Sequence, residues 1–201
     1  MRTAFKGKRV FLTGHTGFKG SWLAIWLHRL GAQVTGYSLA PPTDPSNYSR
    51  ARVSELVSHE HIADVRDSAT LTQALKACDP DFVFHLAAQS SGEISFDDPS
   101  YDLRTNCQST VLLLGWCQEH GTTRFIFTSS MSIYGDQAVQ PVAETAVPVP
   151  KSFYGIGKLA SEAYTHVYSS FGVHSTSLRL FNVYGPGQNL ANMRQGMVSI
   201  F

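Results

Sequence analysis

The segment from Val10 to Gly20, VFLTGHTGFKG, restricts the possible folds of this chain more than any other. It opens with the apolar run Val-Phe-Leu, which is too short for a helix and suits a buried strand. Glycines then recur at every third position: Gly14, Gly17 and Gly20. Apolar residues at helical spacing follow from Ser21 to Leu30, and Gly31 stands where a helix C-terminal cap is expected. A strand, a glycine turn and a helix in this order present backbone N–H groups to a diphosphate.

A second strand is predicted from Gln33 to Tyr37, which completes the start of a βαβ unit. The turn is a G-x-x-G-x-x-G variant of the dinucleotide fingerprint, and glycine turns of this kind also occur without a ligand. An acidic residue commonly ends this second strand and binds the adenosine ribose, but here Ser38 follows the strand. An arginine beside this strand end would indicate a 2′-phosphate, but none is present there. These residues therefore do not decide between NAD and NADP.

Composition limits the classes of protein to which the chain can belong. Its 201 residues are 43% hydrophobic and 15% charged, which suits one globular domain with a substantial core. A net charge of +1 without a basic cluster argues against a nucleic-acid partner. No apolar run approaches the roughly 18 residues that span a bilayer. The three cysteines and eight histidines lack metal-ligand spacing, so we expect no metal site, buried reduced thiols and a cytoplasmic location.

Predicted strands alternate with predicted helices along the whole chain. The further strands are His59–Ala63, Phe82–Leu86, Arg124–Thr128 and Ser175–Leu180, and helical patterns occupy about 68–77, 101–120 and 154–171. This alternation predicts an α/β fold of the Rossmann type, a doubly wound parallel sheet covered on both faces. Trp22 and Trp26 are expected to pack the first helix on the sheet. Polar residues that follow the strands should converge at one sheet edge, where such folds bind ligands.

Tyr154 and Lys158 are four residues apart at the start of the last predicted helix and should share one face. A phenol with a pKa of about 10 is a poor base at neutral pH. A lysine charge and a nicotinamide cation nearby would favour the phenolate, and Ser130 could share its proton. Y-x-x-x-K also occurs by chance on surface helices. The glycine turn and the serine pair on the intervening strand are what favour a functional role for Tyr154 and Lys158.

The segments TGHTGFKG, HLAAQ, TSS, YGIGK and RLFNVYGPG, in this order and spacing, resemble the extended short-chain dehydrogenase/reductase family of nucleotide-sugar epimerases and dehydratases. The resemblance covers nearly the whole chain and implies that NAD is bound along the strand ends, with NADP not excluded. It implies that Tyr154 is the catalytic base, Lys158 its partner on the nicotinamide ribose, and Ser130 the third catalytic member. It also implies a homodimer built from the 101–120 and 154–171 helices. The expected cofactor-binding residues are Gly14, Gly17, Phe18, Lys19, Gly20, Asp64, Val65, Leu86, Ala87, Ala88, Gln89, Thr105 (or Asn106 beside it) and Lys158.

Two parts of the chain point to different reactions on a nucleotide-diphosphate sugar. Within the first 46 residues, the segment from Gly14 to Ser46 is most similar to CDP-glucose 4,6-dehydratases. Dehydratases of this family, however, carry acidic or otherwise specialised residues directly after the Ser130 position, where this chain has Met131 and Ser132. TSSMSIYGD instead resembles the 4-epimerases, which act through a transient 4-keto sugar and reversible hydride transfer. We therefore expect a 4-epimerase, with a dehydratase or reductase as the alternative. A non-catalytic NAD(P)-sensing protein is disfavoured by the intact Ser130, Tyr154 and Lys158.

The remaining expectations concern single residues and the C-terminal region. His85 lies inside an apolar strand and is expected to be a core histidine, whereas His15 either approaches the cofactor phosphates or is exposed. Asn182 either binds substrate, as the resemblance implies, or ends its strand. Residues 1–180 are expected to form the NAD(P)-binding domain. Residues 181–201 are expected to begin a truncated substrate-binding region, because the chain ends within a helical pattern.

Overall fold

The computed structural model describes residues 2–122 and 124–189, and the predicted segment 190–201 lies outside them. Six parallel strands form one sheet in the order β3-β2-β1-β4-β5-β6. The strands are β1 (Arg9–Thr13), β2 (Gln33–Ser38), β3 (His59–Ile62), β4 (Phe82–His85), β5 (Arg124–Ser130) and β6 (His174–Leu180). The helices are α1 (Arg2–Phe5), α2 (Phe18–Arg29), α3 (Asn47–Arg50), α4 (Ser68–Cys78), α5 (Pro99–Leu103), α6 (Ser109–His120) and α7 (Phe153–Ser169). The doubly wound Rossmann-type sheet expected from the sequence is confirmed.

Two apolar cores lie on opposite faces of the sheet. Alternate residues of β1 point to opposite faces, so that Val10 and Leu12 pack with α2 while Phe11 packs with α4 and α6. Because β1 is buried on both faces, its sequence is a continuous apolar run. The strand order reverses between β1 and β4, and the edge above those two strands is where such sheets form a ligand crevice.

The prediction that Trp22 and Trp26 pack α2 on the sheet is wrong. Their side chains are 44% and 58% exposed, and the buried residues of α2 are instead Gly20, Ser21, Ala24 and Leu27. The close approach of α2 to the glycine turn leaves room only for small side chains near its start. Trp22 points away from the sheet, where its indole N–H donates to the carbonyl oxygen of Pro186 at 2.9 Å.

The predicted 101–120 helix is interrupted. A π-helical segment, Arg104–Gln108, separates α5 from α6. Within it, the carbonyl oxygen of Asn106 accepts hydrogen bonds from the hydroxyls of Thr110 and Ser161, each at 2.9 Å. When side-chain hydroxyl groups donate to a backbone carbonyl inside a helix, the helix turn widens locally. Such wide turns often occur at functional sites. Gly121 ends α6 in the left-handed conformation, as expected from the sequence.

The expected burial of the three cysteines agrees with the structure. Cys78, Cys107 and Cys117 are buried and free. In the part of the chain that the structure describes, no group of histidine, cysteine and acidic side chains could hold a metal ion. Within those same residues, no helix is long and apolar enough to cross a membrane.

Candidate active site

A cavity of about 650 Å³ opens along the carboxyl ends of the strands. Its size and position suit a small-molecule ligand in a doubly wound sheet. The sequence-predicted residues that line it are Gly14, Gly17, Phe18, Lys19, Gly20, Asp64, Val65, Leu86, Ala87, Ala88, Thr105, Ser130, Tyr154, Lys158 and Asn182. The structure thus brings together residues that are far apart in the chain, and their individual roles remain predictions.

The three glycines of the turn have different structural tasks. Gly14 has a φ of +79°, and a Cβ on it would lie 2.7 Å from the amide nitrogen of Ala87. A Cβ on Gly20 would lie 1.9 Å from the carbonyl oxygen of Gly14, so Gly20 allows α2 to approach the turn. Gly17 precedes α2, where no side chain caps the helix. The first N–H groups of α2 therefore face the cavity without a side-chain acceptor and suit a diphosphate.

Thr13 joins β1 to β4 at the point where the strand order reverses. Its Oγ1 accepts from the amides of Leu86 at 3.1 Å and Ala87 at 3.0 Å, so its own proton is left for His85 Nδ1 at 2.8 Å. The remaining proton of the neutral imidazole then lies on Nε2, 3.3 Å from Ser109 Oγ. Complete burial lowers the pKa of His85 to about 3, which keeps the ring neutral. His85 is the core histidine expected from the sequence.

His15 is neither exposed nor turned toward the cavity. Its ring is fully buried behind the glycine turn, where Nε2 lies 2.8 Å from Glu60 Oε1. A Cβ on Gly36 would lie 2.7 Å from the ring, so the glycine in β2 makes the space that the imidazole fills. Burial lowers the pKa of His15 although Glu60 acts in the opposite direction. Both alternatives offered by the sequence are therefore wrong, and His15 ties the turn to β2 and β3.

The end of the cavity beside β2 and β3 is polar. Asp64 accepts hydrogen bonds from the backbone N–H of Arg66 at 2.9 Å and from its side-chain Nε at 3.0 Å and Nη2 at 2.5 Å, and Arg66 lowers the pKa of that carboxyl. Ser38, which stands where an acid was expected, is buried and its hydroxyl lies 2.8 Å from that of Thr16. Thr16 is thus an additional lining residue that sequence reasoning did not single out.

Tyr154, Ser130 and Lys158 meet at the other end, beside β5. Ser152 caps α7 by accepting from the amide of Gly155 at 3.1 Å. A Cβ on Gly155 would lie 2.6 Å from the carbonyl oxygen of Ser132, so this glycine lets the start of α7 pack against the turn that follows β5. That packing places Tyr154 within hydrogen-bonding reach of Ser130.

The electrostatics of this group differ from the sequence expectation. Burial raises the pKa of Tyr154, and Asp102 raises it further, whereas the hydrogen bond with Ser130 lowers it. Burial lowers the pKa of Lys158 to about 7, and the charge of Lys19 acts in the same direction. The groups of the chain itself therefore do not favour the phenolate. Lys158 Nζ donates to the carbonyl oxygen of Thr128 at 2.8 Å and lies 5.7 Å from the centre of the Tyr154 ring.

Two predicted residues lie behind the cavity wall. The side-chain amide of Gln89 donates to the carbonyl oxygen of Ser91 and to Asp102 Oδ2, both at 2.8 Å. Asn106, the alternative to Thr105, is fully buried and donates to Asp102 Oδ2 at 3.0 Å. Asp102 was not singled out from the sequence, because an aspartate near the polar start of a helix is expected to lie on the surface.

The wall beside Tyr154 is formed in part by Met131 and Ser132. Among the described residues that line the cavity, Asp64 is the only one with a carboxylate. It follows β3 at the far side of the sheet. Asp136 lies beyond the turn, where it is exposed and pairs with Lys151. The wall directly after Ser130 thus offers a thioether and a hydroxyl but no acid.

Comparison with known proteins agrees with this geometry. The family model described as "NAD dependent epimerase/dehydratase family" matches residues 10–201. The chain belongs to this family. Membership confirms the expected family resemblance and the expected cofactor NAD, and the uncapped α2 and the glycine turn fit its diphosphate.

Two curated relatives are each 34% identical to the chain. They are a CDP-glucose 4,6-dehydratase of Salmonella typhimurium over 197 residues and a UDP-glucose 4-epimerase of Mycolicibacterium smegmatis over 195 residues.

A solved structure shows the same relationship. The UDP-glucose 4-epimerase of Thermus thermophilus in complex with NAD is 34% identical to the chain, with a TM-score of 0.81 over 92% of the chain and 59% of that protein. The dehydratase alignment covers 91% of the chain and 54% of the relative, and the epimerase alignment covers 96% and 61%. The chain thus spans a little over half the length of the curated relatives that it matches.

Proposed function

We propose that the protein is an NAD-dependent nucleotide-sugar 4-epimerase. One observation carries the proposal: Ser130, Tyr154 and Lys158 meet in the cavity, and the adjoining positions 131 and 132 offer no acid. Reversible oxidation at C4 of the sugar needs only a group that removes and returns one proton. Elimination of water across C5 and C6 needs a further acid or base beside the sugar.

In this mechanism Tyr154 removes the proton of the sugar 4-hydroxyl. It returns that proton to the same oxygen, O4, once the 4-keto sugar has turned over in the site and C4 has regained its hydride on the other face. Ser130 hydrogen-bonds the phenol, which opposes the effect of burial on the pKa of Tyr154, and Lys158 Nζ lies 5.7 Å from the centre of the Tyr154 ring. NAD, when bound, supplies reversible acceptance of the C4 hydride. Asn182 is a substrate-binding residue in this proposal, supported by its place in the cavity wall after β6.

The decisive experiment incubates the full-length protein with NAD and UDP- or CDP-hexoses and identifies the products. The proposal expects the 4-epimer, without net NADH and without accumulated 4-keto sugar. A 4-keto-6-deoxy sugar would instead establish the second candidate, a 4,6-dehydratase. That candidate is supported by the 34% identity to a CDP-glucose 4,6-dehydratase. Net formation of NADH would indicate a reductase that runs in reverse under these conditions, and binding of NAD without turnover of any sugar would indicate a sensing protein.

We further propose that the protein is a homodimer that pairs through α5 and α7. The proposal is supported by Leu103, Tyr164 and Val167, which are exposed large apolar residues on these two helices, and the helices contact each other. Light scattering of the full-length protein should give twice the mass of one chain, and Val167→Glu should give the single mass. Val139→Glu, an equally apolar exposed position in a loop, is the matched control and should leave the dimer intact.

Two proposals concern organisation and location. Residues 1–180 form the cofactor domain and the region from 181 onward begins the substrate-binding part, which is supported by the end of β6 at Leu180 and by the cavity position of Asn182. The protein acts in the cytoplasm, which is supported by its three free buried thiols. Fractionation of cells that express the tagged protein tests the location, and recovery outside the cytoplasmic fraction would contradict it.

A further inference from the structure

A buried carboxylate that the reaction scheme does not use lies behind the catalytic group. Asp102, on α5, is 1% exposed. Its Oδ2 accepts from Gln89 and Asn106, whereas its Oδ1 has no hydrogen-bond partner within the described residues. Burying a charged oxygen without a partner is costly, and such a cost calls for a compensating charge.

The unpartnered oxygen points toward α7 at the level of the catalytic lysine. A Cβ on Gly157 would lie 3.3 Å from Asp102 Oδ1, so the glycine opens the contact between the two helices. Lys158 is the next residue and is 2% exposed. Asp102 and Lys158 therefore form a pair of opposite charges enclosed in the same interior region, without a direct hydrogen bond.

Lys158 needs such a partner because its other charged neighbours do not stabilise a cation. The titratable groups that act on it or contact it are Lys19 from α2, His85 from β4, Asp102 from α5 and Tyr154 on its own helix. Lys19 carries the same charge, His85 is held neutral, and Tyr154 is protonated until it reacts. Asp102 acts in the opposite direction to burial and raises the pKa of Lys158.

We propose that Asp102 is a positioning residue of the reaction, whose negative charge keeps Lys158 protonated beside Tyr154. This inference rests on the proposed function for the role of Tyr154. The interaction between Asp102 and Lys158 itself does not depend on which sugar reaction the protein performs.

The variant Asp102→Asn separates charge from structure. Its amide oxygen can still accept from Gln89 and Asn106, so the hydrogen bonds that hold the wall are retained while the charge is removed. Without that charge the pKa of Lys158 falls, so Lys158 loses its proton at lower pH. We expect the alkaline limb of kcat/KM against pH to move down by about one unit, and turnover at pH 8 to fall about tenfold. An unmoved alkaline limb would overturn the proposal.

Asp98→Asn is the matched control. Asp98 is exposed at the start of the same helix and caps it by accepting from the amide of Tyr101, and asparagine is an equally good cap. This variant removes the same charge from the same helix outside the interior. The alkaline limb should remain where it is in the unmodified protein, and a shift equal to that of Asp102→Asn would show that the effect is not specific to Asp102.

A second measurement needs no substrate and stands whether or not the protein proves to be an epimerase. Thermal unfolding of Asp102→Asn, Lys158→Met and the double variant forms a double-mutant cycle. The proposal expects the double variant to unfold at a higher temperature than the sum of the two single losses predicts, because each single change leaves a buried charge without its partner. Strictly additive losses would overturn it. If Asp102→Asn does not fold, recovery of folding in the double variant supports the proposal, and failure of both overturns it.

Discussion

The variant Gly20→Ala tests the closest approach in the cofactor-binding turn. The added Cβ would lie 1.9 Å from the carbonyl oxygen of Gly14 and 2.8 Å from the Cα of His15, both backbone atoms that cannot rotate away. Helix α2 would have to move off the turn. Overpacking against backbone costs about 3 kcal/mol or more, and the higher helix propensity of alanine recovers about 1 kcal/mol. A net loss of about 2 kcal/mol or more lowers the unfolding midpoint of a domain of this size by at least about 4 °C.

Gly17→Ala is the matched control because it changes the same motif without the same clash. Its Cβ would lie 3.4 Å from the carbonyl oxygen of Gly14, and the φ of −74° at Gly17 suits alanine. We expect a midpoint within about 2 °C of the unmodified protein. NAD binding should weaken about 10- to 100-fold, because a methyl group at the uncapped start of α2 holds the diphosphate away from the helix N–H groups.

Calorimetry of unfolding and titration with NAD on the full-length protein measure both quantities. Unfolding of Gly20→Ala at the midpoint of the unmodified protein would refute the close packing of α2 on Gly14. Unchanged NAD affinity in Gly17→Ala would refute the assignment of the diphosphate to the start of α2. The two results are independent, since one reports on packing and the other on the ligand.

Three further predictions concern the catalytic tyrosine, a buried histidine and the loop after β5. Tyr154→Phe should lower turnover by roughly 10²- to 10⁴-fold with NAD binding retained, and unchanged turnover would remove Tyr154 from the mechanism. The folded-state pKa of His85, about 3, lies below its unfolded value, so folding excludes a proton that the unfolded chain binds as the pH falls below about 6.5. Between pH 7 and pH 5 the protein should therefore lose about 2 kcal/mol more stability than His85→Asn, measured by denaturant unfolding, and equal losses would contradict this assignment. Arg179 donates to Glu162, to the Tyr134 hydroxyl at 2.7 Å and to the carbonyl oxygen of Glu144 at 2.8 Å. Arg179→Lys should cost about 1–2 kcal/mol and speed proteolysis between residues 138 and 149, and an unchanged cleavage rate would show that the arginine does not hold this loop.

Local sequence patterns predicted the elements whose causes are local. The apolar runs at Val10–Leu12 and Phe82–Leu86 gave strands because strands buried on both faces need no alternation. The glycine spacing located the turn, and the strand ends located the cavity, because parallel strands all present their carboxyl ends at one edge. Residues at strand ends could therefore be grouped into one site before any contact was known.

Features that depend on how elements pack could not be predicted in this way. Trp22 and Trp26 fit the helical pattern of α2, but Gly20 brings the start of the helix so close to the turn that only small residues fit on the inner face there. His15 looked like a turn residue near a phosphate site, but the missing side chain of Gly36, on another strand, gives its ring a buried place. Neither effect can be recognised from the residues that are adjacent in sequence to the tryptophans or to His15.

The same distinction explains how this site can favour one reaction of its family over another. In the proposed mechanism the glycine turn, Tyr154 and Lys158 provide cofactor binding and proton transfer at C4, which a 4-epimerase and a 4,6-dehydratase would both need. The difference lies in the short turn after β5, where Met131 and Ser132 line the cavity and Ser132 contacts the start of α7 through the space left by Gly155. Because this contact fixes the turn against the catalytic helix, the side chains at 131 and 132 stand beside Tyr154 whatever their chemistry. The absence of an acid at those two positions therefore bears more directly on the reaction than the similarity of the first 46 residues to a dehydratase.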